Sequence, residues 1–229
     1  MAARPIAVVT GASRGIGRAI AQRLASSYEI LAVARSRTEL AELAREIEKT
    51  GGECTVLPLD VADAAAVATA LAGRRADVLV NNAGVGVLKP MLELAPEEWR
   101  RMVDVNFNAL YHVTRALLPG MMERGAGHIV NIGSIAGRSA FVGGACYAAT
   151  MHAVMAFSEC LMLEVRDRGV KVSVVNPGSV ATHFSERSDP SWMLSAEDVA
   201  ESVAHVLTTP PNVLVHRVEV RALSPKRTH

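Results

Sequence analysis

Aromatic side chains make up only 4% of the 229 residues, too few for a surface that stacks nucleic-acid bases. No charge sign predominates. Basic and acidic residues number 24 and 23, a net charge of +1, which gives no electrostatic case for nucleic acid or an acidic membrane surface. Cysteine is sparse: Cys54, Cys146 and Cys160 are an odd set without CxxC spacing. They read as reduced thiols of a cytoplasmic protein. The seven histidines lack metal-ligand spacing, so the reading includes no metal. Long apolar runs are also missing. The most apolar stretch, 140–157, is broken by Gly143, Gly144, Tyr147 and His152, and reads as a buried helix with its leading loop, not a membrane span. The first residues have no charged segment followed by an apolar core, so no signal peptide is expected.

Half of the residues are hydrophobic, ample for one large core, and their pattern alternates. Short apolar runs read as strands at 6–10, 29–34, 54–59, 77–80, 129–133, 170–175 and 213–220. Between them, helical patterns occupy 18–25, 38–50, 64–71, 96–124, 147–168 and 196–207. Asp63 suits the N-cap of the third helix, and Ser195 with Asp198 resembles a capping box. Residues 179–194 have no clear period and read as a loop. Near-continuous apolar strands alternating with helices predict an α/β fold, a doubly wound parallel sheet with helices on both faces. No linker, repeat or low-complexity segment divides the chain, so residues 1–229 read as one domain.

Ligands in such sheets bind beyond the strand C-termini, where strand order reverses. The first strand runs into Gly11-Ala-Ser13-Arg14-Gly15-Ile16-Gly17 and then a helix. Glycines there admit a pyrophosphate to the backbone, and a helix N-terminus presents free N–H groups and positive dipole to it. Arg35, Asp60, Asn82, Ser134 and Pro177 fall at other predicted strand C-ends. One shared cleft explains this placement economically.

These residues together resemble the short-chain dehydrogenase/reductase family, in its NADP-preferring, 3-oxoacyl-ACP reductase-like form. Thr10-Gly11-Ala-Ser-Arg-Gly15-Ile-Gly17 is similar to the family's TGxxxGxG, and Asn81-Asn82-Ala83-Gly84 to its NNAG. Asn106 matches the helix-borne asparagine. Ser134 and Tyr147, thirteen residues apart, match the serine and tyrosine, and Pro177-Gly178 through Thr182 matches PGxxxT. The resemblance spans essentially the whole chain. It implies a Rossmann sheet of about seven parallel strands, a nicotinamide coenzyme across the strand ends, and hydride exchange with a carbonyl or alcohol. Ser134 would then bind the substrate oxygen, Tyr147 exchange its proton, and Asn106 hold a relay water. Gly11, Ser13, Arg14, Gly15, Ile16, Gly17, Asn82, Ala83, Gly84, Pro177, Gly178, Val180 and Thr182 would contact the coenzyme, with Asp60 and Val61 at the adenine. The family resemblance also implies a homodimer or homotetramer.

NAD enzymes usually carry an acidic residue at the end of the second strand. Ala34-Arg35 stands there instead. Arg14 and Arg35 suit a 2′-phosphate through the planar guanidinium fork, so the expected coenzyme is NADP(H).

One position departs from the family. Four residues after Tyr147 the family has lysine, and this chain has Met151. Methionine matches lysine in length but carries neither charge nor a strong donor. The lysine cation holds the tyrosine's proton affinity down and hydrogen-bonds the nicotinamide ribose. The expectation is a folded, coenzyme-binding protein with turnover lowered by orders of magnitude. Three origins remain open: an introduced change in a working enzyme, a natural non-catalytic relative acting as a regulatory or assembly partner, or a natural enzyme using a different proton relay. Phe184 and Trp192 either line the substrate pocket or anchor the loop.

Overall fold

A computed structural model describes residues 4–182 and 191–223. Seven strands build one sheet: β1 Ile6–Thr10, β2 Glu29–Ala34, β3 Glu53–Pro58, β4 Val78–Asn81, β5 Gly127–Ile132, β6 Val170–Pro177 and β7 Arg217–Val220. Their order is β3-β2-β1-β4-β5-β6-β7, and every pairing is parallel. The chain first builds outward from β1 and then crosses to β4. The order therefore reverses between β1 and β4, where helices leave toward opposite faces and open a crevice.

Helices α1 (Gly15–Leu24), α2 (Arg37–Lys49) and α7 (Ala196–Leu207) bury Ile20, Leu40, Leu43 and Val199 against one face. Helices α3 (Ala64–Leu71), α5 (Ala109–Arg124) and α6 (Ala145–Val165) bury Val67, Val113, Leu117 and Leu161 against the other. Strand side chains alternate between the two cores: Ala7 and Val9 enter the first, and Val8 the second. Full burial of each such side chain stabilises the fold by roughly 1.5–3 kcal/mol. The predicted caps form. Asp63 Oδ1 accepts from Ala65 N and Ala66 N, and Ser195 and Asp198 cap each other reciprocally.

Two elements differ from the sequence reading. The helix expected over 96–124 is α4 (Pro96–Val103), a π turn at Asp104–Asn108, and then α5. The π turn admits one extra residue, marked by Ala109 N donating to Asp104 O, and it carries Asn106. The strand expected over 213–220 pairs only from Arg217. The preceding residues are strapped to β6 largely by side chains. Lys171 Nζ donates to Pro210 O and Val213 O at 2.7 Å each, and Ser173 Oγ donates to Val215 O at 2.6 Å. The segment Ala145–Arg168 is long and apolar enough to cross a membrane by composition, but 44% of that window is buried inside the fold. It is a core helix.

Candidate active site

The turn after β1 is shaped by what a side chain would strike. Gly11 and Gly15 have φ of 66° and 54°, a region that only glycine enters freely. A Cβ at Gly17 would stand 2.3 Å from Gly11 O, so the first turn of α1 packs directly on the loop. No acidic residue occupies that turn, leaving its positive end uncompensated and open to an anion. Ser13 and Ile16 are partly buried in the same turn, and Arg14 is exposed. Arg35, just past β2, is also exposed. Neither the Arg14 nor the Arg35 side chain has a hydrogen-bond or ion-pair partner among the described residues.

Asp60 and Val61 follow β3. Val61 is buried. Asp60 Oδ1 accepts from Ala62 N at 3.0 Å, while Oδ2 accepts from both terminal nitrogens of Arg101 at 3.3 Å. The loop after β4 is tied back to β1. Asn82 N and Ala83 N both donate to Thr10 Oγ1, at 3.0 and 3.1 Å, and Asn82 Nδ2 donates to Thr10 O at 3.0 Å. Gly84 then leads to Val85. Asn106 clasps that residue through Val85 N to Oδ1 at 2.8 Å and Nδ2 to Val85 O at 2.9 Å.

Ser134 lies two residues beyond β5 and accepts from Ala136 N at 3.1 Å, capping the short turn Ile135–Gly137. Its hydroxyl is hydrogen-bonded to that of Tyr147, in the first turn of α6. Burial raises the pKa of the Tyr147 phenol above its ordinary value, and the Ser134 hydrogen bond pulls it partway back. No cation contributes to that balance among the described residues. Met151, one turn further along α6, is 5% exposed and packs in an apolar cluster with Leu110, Ala136 and Val154, against which Tyr147 rests. His152 offers no replacement: it is exposed, and its Nδ1 lies 2.8 Å from Ala148 O.

After β6, Pro177-Gly178 enters a loop pinched by a bridge between Val180 and Leu194. Thr182 lies over the glycine turn; its methyl would be 3.5 Å from a Cβ at Gly15. Trp192 is partly buried in the returning limb, and Phe184 lies outside the described residues.

The fold thus brings the sequence-selected residues to one edge, the C-terminal ends of β1 to β6. Two contributors escape the sequence reading. Thr10 anchors the Asn82 loop, a role its place in the glycine motif hinted at. Thr150 accepts from Asn106 Nδ2 at 3.1 Å and donates to Tyr147 O at 2.8 Å. It links the π turn to the tyrosine, and nothing in the linear pattern announced it. A groove of about 860 Å³ between α3 and α5 contains none of these residues. Arg74 and Arg124 on its wall are spent on backbone carbonyls, Ala70 O and Ala76 O.

The chain matches the family model described as short chain dehydrogenase over residues 5–191. It is 36% identical to the NADP-dependent 3-hydroxy acid dehydrogenase YdfG of Escherichia coli strain K12, covering 94% of each chain. It is also 36% identical to sulfoacetaldehyde reductase 2 of Chromohalobacter salexigens, covering 94% of this chain and 93% of that protein. Among solved structures, an alcohol dehydrogenase from the archaeon Thermococcus sibiricus complexed with 5-hydroxy-NADP superposes with a TM-score of 0.90 at 31% identity. That match covers 99% of this chain and all (100%) of the other. Serine dehydrogenase from Escherichia coli gives 0.84 at 36% identity, covering 94% and 96%.

Proposed function

The chain belongs to the short-chain dehydrogenase family, and from that premise we propose an NADP(H)-dependent oxidoreductase for a carbonyl or alcohol substrate, crippled at Met151. The observation that carries this reading is the Ser134–Tyr147 hydrogen bond beside a Met151 sealed into an apolar cluster.

The residues suit the coenzyme. The turn from Gly11 to Gly17 leaves no room for side chains where a pyrophosphate must approach, and the uncompensated start of α1 faces the same place. Arg14 and Arg35 supply guanidinium groups for a 2′-phosphate, and the position directly after β2 carries Arg35 instead of a carboxylate that would repel one. Asn82, Ala83 and Gly84, with Pro177, Gly178, Val180 and Thr182, form the remaining wall, and Asp60 with Val61 closes the adenine end. NADP(H), when bound, supplies or accepts the hydride.

The chain's own contribution is to the proton and the oxygen. Ser134 and Tyr147 present two hydroxyls to a substrate carbonyl oxygen, where negative charge develops on reduction. Tyr147 delivers the proton in reduction and takes one in oxidation. Asn106 and Thr150 hold the backbone around it. A phenol with raised pKa parts with its proton reluctantly, and a neighbouring cation would lower that cost. Met151 cannot do so. A hydrogen bond involving a charged group contributes roughly 1.5–3 kcal/mol, so losing the ribose contact weakens the coenzyme as well. The exposed Ala156, Cys160 and Leu163 on α6 support a homodimer or homotetramer. We place the protein in the cytoplasm.

The test compares NADPH oxidation by this chain and by Met151→Lys on a panel of ketones and 3-oxoacyl thioesters. Restoring lysine is expected to raise turnover at least about 100-fold, the lower end of acid–base assistance. Equal, high turnover in both forms would overturn the reading of Met151. A second reading, a coenzyme-binding protein without catalysis, is favoured by the apolar repacking around Met151. Its signature is NADPH binding by both folded forms with turnover by neither.

A further inference from the structure

Among the described residues, Asp60 with Arg101 is the one ion pair that engages a side chain assigned to the coenzyme. The backbone of Asp60 is fixed from both sides. Leu59 N donates to Ala34 O at 2.9 Å, and Asp63 N donates to Asp60 O at 3.1 Å. What this leaves undetermined is the rotation of the carboxylate, and Arg101 determines it. From the last turn of α4, 41 residues away in sequence, both of its terminal nitrogens donate to Oδ2 at 3.3 Å. The other oxygen, Oδ1, accepts from Ala62 N at 3.0 Å.

An ion pair with each side chain about one-third exposed, as here, contributes little to stability. Nor does α4 depend on it. Met102 is fully buried, and its Sδ accepts from Val87 N at 3.4 Å. Asn106, in the π turn that follows, clasps Val85. The helix is therefore anchored without Arg101, and the consequence of the pair falls on Asp60. A carboxylate offers about four lone-pair sites. The two Arg101 donors fill Oδ2, and Ala62 N takes one site of Oδ1. One acceptor site remains, on Oδ1, and its direction is fixed.

From this we infer that Arg101 is a positioning residue for the coenzyme: it holds the remaining lone pair of Asp60 toward the purine and thereby sets selectivity for a 6-amino over a 6-oxo base. This rests on the coenzyme reading above and deepens it at the adenine end. Adenine presents an N–H donor at its 6-amino group, which suits a carboxylate that can only accept. Hypoxanthine presents a carbonyl oxygen at that place, so acceptor would meet acceptor. A hydrogen bond to a charged group corresponds to roughly ten- to 150-fold in affinity, and partial exposure puts this one at the lower end.

Equilibrium binding tests this without requiring turnover. Titrations followed by nicotinamide fluorescence compare NADPH with its reduced hypoxanthine analogue, which differs only at that edge of the purine. The two share every other contact, so a general loosening of the fold weakens both alike and leaves the ratio of their dissociation constants unmoved. The parent is expected to bind NADPH at least about ten-fold more tightly than the analogue. Arg101→Met should cut that ratio at least about three-fold, chiefly by weakening NADPH. Arg101→Lys keeps the cation but lacks the planar fork, and its ratio should fall between the two. Once Asp60→Asn is in place, adding Arg101→Met should lower the ratio no further, because the two side chains act as one unit. Should Arg101→Met lose the fold, Arg101→Gln, also uncharged, is judged by the same ratio. An unchanged ratio on removal of the cation would overturn the inference, as would a parent that binds both coenzymes equally. Those outcomes leave the coenzyme reading standing, whereas failure of every form to bind NADPH sinks that reading and this inference with it.

Discussion

At the scale of single residues, Met151 and Arg35 carry the most consequence. Burial raises the Tyr147 pKa and, among the described residues, the Ser134 hydrogen bond opposes it in part, so the phenol stays protonated through neutral pH. In the oxidation direction, where Tyr147 must accept a proton, the rate should climb with pH without levelling up to about pH 10, the ordinary phenol range. In Met151→Lys the plateau should appear at lower pH, because a cation favours the tyrosinate. A pH–rate profile of both forms checks this; superimposable profiles would count against an electrostatic role for position 151. Arg35 is exposed and without a partner among the described residues, so its replacement costs the fold little. Arg35→Asp should raise the NADPH dissociation constant at least ten-fold while changing that for NADH by less than three-fold. An equal effect on both coenzymes would remove Arg35 from the 2′-phosphate.

At the scale of elements, the informative join is α1 on the loop before it. Gly17 faces Gly11 O and Asn82 Nδ2, and a Cβ there would be 2.3 and 2.4 Å from them. Gly17→Ala must push the helix away from β1 or break the Asn82 tie to Thr10. Overpacking of this kind costs about 1–3 kcal/mol. Urea denaturation should show a loss of unfolding free energy of that size, and calorimetry a weaker NADPH affinity. A fully stable variant with unchanged affinity would mean the turn adapts where the geometry says it cannot. The π turn is a second join. It holds Asn106 against Val85 and Thr150, so the loop after β4 and the start of α6 are clamped through one side chain.

At the scale of the whole molecule, acid stability is set far from the coenzyme edge. His128 is buried at the start of β5, with its Nε2 2.8 Å from Ser173 Oγ. Burial, helped by Lys171, lowers its pKa to about 4. An unfolded histidine titrates near 6.5, so between pH 6.5 and 4 the unfolded chain binds the extra proton. Stability from this group is therefore complete above pH 6.5 and falls as pH drops toward 4, by about 3 kcal/mol in all. Because Ser173 also holds Val215, the strap leading to β7 should loosen first. Urea midpoints at pH 7 and pH 4.5 should fall by more in the parent than in His128→Gln. Identical acid limbs would show that carboxylates, not His128, dominate.

Much of this protein was determined by local pattern. Alternating apolar runs and helical periods specify a parallel sheet because each strand must be covered on both faces. Glycines at 11, 15 and 17, the Asn82 loop, and Ser134 thirteen residues before Tyr147 mark the candidate site because their chemistry is carried by short segments at fixed spacing. Met151 is legible for the same reason: one substitution in a four-residue interval. Tertiary structure decided the rest. The π turn at Asn106 exists because that side chain finds Val85 and Thr150, neither of them near it in sequence. The strand expected from 213 begins only at Arg217, and the residues before it are held to β6 by the Lys171 and Ser173 side chains. The loops at Leu88 and Val142, more than fifty residues apart, meet across Gly143. Linear periodicity records which residues share a face of one element, and it carries no information about which elements meet.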